Sequence, residues 1–156
     1  MVRLHKDFSE FVESLIGNGV EFLIVGAHAL AFYGHPRSTG DLDIFVRPTV
    51  ENARRILRSL NEFGFGGLDI SEDDLAGGTD VIQLGVAPVQ IDLLTTLTAV
   101  DFDDAWTNGV RGTINGLTVV FISKEDMIQI KRRSGGHGMW RMRIFCGVAN
   151  RAAISR

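Results

Sequence analysis

An α/β domain, built on a mixed sheet of about five strands with helices mainly on one side, follows from three features of the sequence. Short apolar runs bounded by glycine read as buried strands, the run from Asp41 to Val46 alternates with period two, and segments with apolar residues three and four apart separate them as helices. At 156 residues the chain fits one domain, and folding at that size buries roughly 70% of the surface that the unfolded chain exposes.

Phe8, Phe11, Val12 and Leu15 mark one face of a first helix, stopped by Gly17, Asn18 and Gly19. Val20 to Val25 is apolar apart from Glu21, as expected of a strand buried on both faces. Gly26 then opens a short helix from Ala27 to Phe32 or Tyr33, ended by Gly34, His35 and Pro36. In the next strand Asp41, Asp43 and Phe45 share one side, and Leu42, Ile44 and Val46 the other. Thr49 is placed to cap a helix whose buried stripe is Val50, Ala53, Ile56, Leu57 and Leu60. Residues 69–80 are acidic and read as a surface loop. Val81 to Val86 and Val89 to Leu94 predict a hairpin around Ala87 and Pro88, with Asp92 set in an otherwise apolar strand. Phe102, Ala105 and Trp106 suggest a short helix. Val110 to Ile114 and Leu117 to Ile122 predict a second hairpin on Asn115-Gly116, and Ser123 caps a last helix with Glu125 and Asp126 in its first turn.

Charge and cysteine usage narrow the setting. The single Cys146 has no internal partner for a disulfide, the N-terminus lacks the pattern of a secretion signal, and the longest mainly apolar stretch, Phe22 to Tyr33, is too short to span a bilayer. A soluble cytoplasmic protein with no membrane role is the expectation. Net charge is −3, but it is unevenly spread: residues 131–156 carry seven basic residues and no acidic one, leaving residues 1–130 with nine basic and 19 acidic residues. A basic end on an acidic domain either binds nucleic acid or docks on the domain itself.

Three features carry chemistry when taken together: Gly26-Ala27 at a strand-to-helix junction, Asp41-Leu42-Asp43 on the next strand, and Asp92 on a later one. Alone, a glycine after a strand is commonly a tight turn, and an Asp-x-Asp pair is commonly a solvated edge. Together they are the parts that nucleotidyl transfer needs. Carboxylates at i and i+2 of a strand lie on one face, hard divalent cations take carboxylate oxygens, and a helix N-terminus offers free N–H groups to phosphate. Asp92 is the most informative, because a lone carboxylate in a buried strand costs several kcal/mol unless it is paired or bound to metal. A structural ion such as calcium, held by Asp41, Asp43 and Asp92, is the plainer alternative.

The order of strand, Gly-Ala, helix, Asp-x-Asp strand and isolated Asp strand resembles the polymerase-beta-type nucleotidyltransferase superfamily. The continuous stretch from Phe22 to Ile44 is similar to small AbiEii-type toxin nucleotidyltransferases, and the likeness covers roughly residues 8–132. The resemblance implies a nucleotidyltransferase fold and a magnesium-dependent enzyme that moves a nucleoside monophosphate from a nucleoside triphosphate to an acceptor hydroxyl, with release of pyrophosphate. It implies two Mg2+ ions, with Mn2+ as a substitute, on Asp41, Asp43 and Asp92, and Asp92 as the base. Gly26 and Ala27 would cradle the triphosphate, Arg37 would touch a phosphate, and Thr39 or Ser38 would orient the loop before Asp41. His28 is expected to pack on its helix face and His35 to sit in a turn. The acceptor is left open among RNA, a protein and a small molecule, and a protein partner or a homodimer would complete its site. The rival expectation is a non-catalytic nucleotide-binding or regulatory module, such as one half of a toxin–antitoxin pair.

Two departures from the resemblance stand out. Where the superfamily usually has Gly-Gly or Gly-Ser, this chain has Gly26-Ala27, so the backbone N–H remains but no hydroxyl is offered. Residues 1–132 form the expected domain, and residues 133–156 form a basic, divergent tail in which Gly135-Gly136-His137-Gly138 breaks any helix. A reading-frame shift near residue 134 accounts for that tail and would make Trp140, Met142 and Phe145 accidental; a native basic arm for RNA is the other account. Sequencing the source gene around codon 134 decides between them: a frame that reopens onto a regular amphipathic helix supports the shift, and an intact frame with similar tails in relatives ends it.

Overall fold

Twelve residues, Lys6–Gly17, form helix α1, with Phe8, Phe11, Val12 and Leu15 all buried as their spacing requires. The computed structural model describes residues 6–35, 41–86 and 89–133. Strand β1 (Phe22–Val25) leads directly into α2 (Gly26–Phe32), and β2 (Asp41–Val46) is followed by α3 (Val50–Glu62). The hairpin β3 (Val81–Val86) and β4 (Val89–Leu94), helix α4 (Phe102–Asn108), the hairpin β5 (Val110–Ile114) and β6 (Leu117–Phe121), and α5 (Lys124–Arg133) complete the order.

The strands form one mixed sheet of six, in the order β3-β4-β2-β1-β6-β5, one strand more than expected. Sequence neighbours pair antiparallel within β1/β2, β3/β4 and β5/β6, whereas β2/β4 and β1/β6 pair parallel and join the three units. Helices lie mainly on one face. Phe32 of α2 stacks on Phe121 with ring centroids 4.0 Å apart, and Phe121 stands opposite Ile24 on the face that carries Ile44. Asp7 and Glu10 of α1 border a groove with Leu84 and Ile91, whose strand parity is opposite to that of Asp92. Helix α4 is the exception: Phe102 packs edge-on against Phe45, 5.0 Å away, on the face of Asp41 and Asp43. The three carboxylates stand on this same face.

Local chemistry explains most boundaries. Thr49 accepts a hydrogen bond from the Asn52 N–H, Asp101 accepts from Asp103 N–H, and the Ser123 hydroxyl accepts from Asp126 N–H, so α3, α4 and α5 each begin on a capping side chain. Asn115 and Gly116 both take positive φ, 50° and 80°, the geometry that a two-residue hairpin turn demands. The turn at Ala87-Pro88 lies outside the described residues, as do Pro36 to Gly40 and the tail from Ser134 onward.

Three expectations change. The first strand starts at Phe22 rather than Val20, although Val20 is buried. Val50 is 44% exposed, because the buried stripe of α3 runs through Asn52, Ala53, Ile56, Ser59 and Leu60. Within the acidic loop, Asp74–Gly78 winds into one wide helical turn. Ser71 and Asp74 exchange side-chain-to-backbone hydrogen bonds of 3.0 and 3.1 Å, and this reciprocal box drives Leu75 into the core.

Asn52 is the polar centre of this packing. It is 1% exposed, and its side chain accepts from Glu21 N–H at 2.8 Å while donating to the carbonyls of Glu21 at 3.1 Å and Arg47 at 3.0 Å. Arg47 in turn pairs with Glu21 at 2.6 Å and with Asp103, and lies over the Phe102 ring at 4.6 Å, holding α4 on the sheet. Asn18 donates to Ser14 carbonyl oxygen, Ser59 Oγ and Glu62 Oε1 at 2.9 to 3.0 Å, fastening α1 to α3. Asn52→Ala leaves the Glu21 N–H without its acceptor and removes one of the two donors to each of the Glu21 and Arg47 carbonyls, which keep the N–H groups of Arg47 and Thr49, so it is expected to cost roughly 2–4 kcal/mol. Thermal unfolding reads this as a fall in midpoint of roughly 5–12 °C; a fall under about 1 °C removes Asn52 from its central place.

Candidate active site

Strand register assembles the carboxylates. Val25, Asp43 and Asp92 stand opposite one another on β1, β2 and β4, and Asp41 stands opposite Gln90 one pleat away on the same face. Adjacent strands lie about 4.8 Å apart. Residues separated by 49 positions in the sequence thus become neighbours through the parallel β2/β4 pairing alone. Asp43 and Asp92 are 7% and 8% exposed, whereas Asp41, at the start of β2, is half-buried.

Gly26 closes the site from the β1 side. Its φ is +71°, in the region that favours glycine, and a Cβ built there would lie 2.2 Å from Asp43 Oδ2. The Asp43 carboxylate therefore occupies the space that any other side chain at position 26 would fill. Gly26 is also the first residue of α2, whose N-terminus receives no side-chain capping bond, so the first-turn N–H groups at Gly26 and Ala27 are not taken by a capping side chain. Ala27 is partly exposed at this junction. Tyr33 donates its hydroxyl to the Ile122 carbonyl at 2.8 Å and anchors the far end of α2 to the end of β6.

The electrostatics follow from crowding. Burial pushes the Asp43 carboxyl well above the ordinary carboxylate range, and the adjacent Asp92 and then Asp41 push it further. Asp92 is also raised, chiefly by burial and further by Asp41, against the opposing hydrogen bonds from Gln90 and Asp43. The Gln90 amide donates to Asp92 Oδ1 at 3.2 Å. Two buried neighbouring carboxyls oppose each other's ionisation, so the metal-free pair holds protons more tightly than ordinary carboxyls, and a cation between them would relieve that cost.

Among the described residues, no group of three His, Cys, Asp or Glu side chains is arranged to hold a metal ion by itself. The donor set nevertheless fits magnesium bound in the manner usual for nucleotide enzymes, in which one or two carboxylates hold the ion and substrate phosphates and water complete its shell. His28 stays apart from this set. It is buried, packs edge-on against Phe8 at 6.2 Å, and its burial lowers its pKa, in keeping with a packing role. Its Nδ1 is buried without a hydrogen-bond partner. His35 is exposed in the turn after α2, its N–H bonded to the Leu30 carbonyl. Arg37, Ser38 and Thr39 lie outside the described residues.

The sequence reading overlooked two contacts. One is the packing of Gly26 against Asp43, which register alone reveals. The other is Gln90, whose position two residues before Asp92 on one strand is a usable signal in retrospect.

Residues 4–139 match the model of a family described as "Nucleotidyl transferase of unknown function (DUF2204)". The chain belongs to this family. The match to this nucleotidyl transferase family continues six residues past Arg133. A crystal structure of a proposed nucleotidyltransferase from Thermotoga maritima is similar in fold, with a TM-score of 0.57, 19% identity and 82% of each chain covered. No curated protein matches the chain. Among the described residues, no helix is long and apolar enough to cross a membrane.

The sign of the pH dependence is set by the raised carboxyls. The folded pair binds more protons than the unfolded chain between the ordinary aspartate value of about 3.9 and its raised folded value, so this contribution to stability is lost as pH rises through that window. Asp43→Asn removes the crowded ionisable group and is expected to raise the midpoint of metal-free protein at about pH 8 by roughly 3–9 °C, or about 1–3 kcal/mol. The gain should shrink toward pH 5. A variant less stable than wild type at pH 8 contradicts the crowding.

Proposed function

We propose that this chain transfers a nucleoside monophosphate from a nucleoside triphosphate to an acceptor hydroxyl, releasing pyrophosphate. The observation that carries the reading is the buried Asp43–Asp92 pair, set in register across β2 and β4 and closed by Gly26 at the start of α2, in a member of a nucleotidyl transferase family. Asp41, Asp43 and Asp92 are the proposed ligands of two Mg2+ ions, or Mn2+ in their place. When bound, the metals neutralise charge on the phosphates and on the attacking and leaving oxygens.

The chain's own groups then divide the work. Backbone N–H groups at Gly26 and Ala27 receive triphosphate oxygens, since peptide N–H donors at a helix start suit phosphate without any hydroxyl at position 27. Arg37 is proposed to contact a phosphate, and Thr39 or Ser38 to orient the loop before Asp41. Asp92 accepts the proton of the acceptor hydroxyl as its oxygen bonds to the α-phosphorus. The bond from that phosphorus to the bridging oxygen breaks, and pyrophosphate departs with the electron pair. The narrower likeness to AbiEii-type toxin enzymes, resting on Phe22 to Ile44, belongs to this proposal. So does an acceptor hydroxyl carried by RNA, a protein or a small molecule.

Thermal unfolding of wild type and Asp43→Asn with ATP, CTP, GTP or UTP, each with and without magnesium, tests the donor site. A nucleotide at about a hundred times its dissociation constant should add roughly 2.7 kcal/mol, several degrees in midpoint, to wild type only when magnesium is present. Asp43→Asn, referred to its own metal-free midpoint, should show no such increment and no turnover. Near-native turnover in that variant would falsify the scheme.

A further inference from the structure

Gln90 does more than fill a place on β4. It shares a strand face with Asp92, two residues on, and stands opposite Asp41 on β2, so it is a strand neighbour of both carboxylates. Its Nε2 donates to Asp92 Oδ1 at 3.2 Å, and the Asp43 carboxyl bonds the Asp92 carboxylate as well.

We propose that Gln90 is the positioning residue of Asp92, its amide fixing the carboxylate's rotation so that the ligating oxygen is presented to the metal without rearrangement. The inference rests on the proposed function, because it takes Asp92 as ligand and base. The chemistry of the donor favours it. A neutral amide holds the carboxylate, whereas lysine or arginine at position 90 would form an ion pair in competition with a divalent cation. An asparagine would fall one methylene short. Partners that orient metal-binding carboxylates typically contribute ten- to a hundredfold to metal affinity or activity.

Gln83 supplies the control. It faces Asp92 across the β3/β4 ladder, is half-buried like Gln90, and has no hydrogen bond to the carboxylate. A role in packing would make the two glutamines equivalent, and a role in positioning separates them.

The test is Mn2+ affinity of the full chain by electron paramagnetic resonance, for wild type, Gln90→Met, Gln90→Asn and Gln83→Met, with unfolding midpoints and metal-free crystal structures. Gln90→Met keeps length and volume, and Gln90→Asn keeps the amide but not its reach. Both should bind Mn2+ about tenfold or more weakly, with midpoints within a few degrees of wild type and Asp92 turned from its wild-type orientation. Turnover should fall in kcat with little change in KM for the nucleotide. Gln83→Met should match wild type. Unchanged Mn2+ affinity with Asp92 in place in both Gln90 variants overturns the assignment, as does an equal loss in Gln83→Met. If wild type itself takes up no Mn2+ even with a nucleoside triphosphate present, the proposed function fails, and the crystal structures still decide whether Gln90 orients Asp92.

Discussion

Asp43 and Asp92 stand side by side in a nearly dry part of the sheet, and much of the surrounding structure is arranged around that repulsion. The parallel β2/β4 pairing brings the two carboxyls into register, and Gly26 leaves the space that the Asp43 carboxylate occupies beside the start of α2. Burial then raises the cost of ionising the pair, a cost that a bound cation would offset. Folding energy is spent on a site that a metal-free protein has no structural use for. Such an arrangement is typical of active sites, where stability is given up for charge placed in advance.

The rest of the sheet keeps this pair from relaxing apart. Asn52 joins the start of α3 to the outer ends of β1 and β2, satisfying all its own polar groups while doing so. Arg47 extends the same brace to α4 through Glu21, Asp103 and the Phe102 ring, and Phe102 rests on Phe45, two residues beyond Asp43 on the same face. Both devices sit at the end of β1 and β2 farther from Gly26. The carboxylates and the start of α2 therefore lie toward the opposite end of β1 and β2 from this brace. Gln90, half-buried on β4, adds a hydrogen bond to the buried Asp92 carboxylate.

Local pattern told where elements begin and which way their residues face. The period-two run Asp41 to Val46 fixed the common face of Asp41 and Asp43, Asn115-Gly116 fixed a tight turn, and Thr49 and Ser123 fixed helix starts, because each depends on residues within a few positions. Misjudged elements depend on distant partners. Val50 belongs to the helical period yet lies at the rim, since Asn52 turned the buried face of α3 toward the backbone of Glu21 and Arg47. Leu75 sits in an acidic stretch that resembles a loop, and only its place against α3 makes it core.

The sequence by itself determined the alternation of strands and helices, the three carboxylates, the glycine at the junction and the family likeness that joins them. It did so because side-chain periodicity and turn chemistry are local, and a motif in fixed order survives without coordinates. Tertiary structure decided the strand order β3-β4-β2-β1-β6-β5, which sets Asp92 between Asp43 on β2 and Gln83 on β3. It also decided the contact of Gly26 with a carboxylate 17 residues on, and the hydrogen bond that singles out Gln90 from Gln83. Both follow from strand register, a long-range quantity fixed by the sum of core packing and backbone pairing and carried by no single residue.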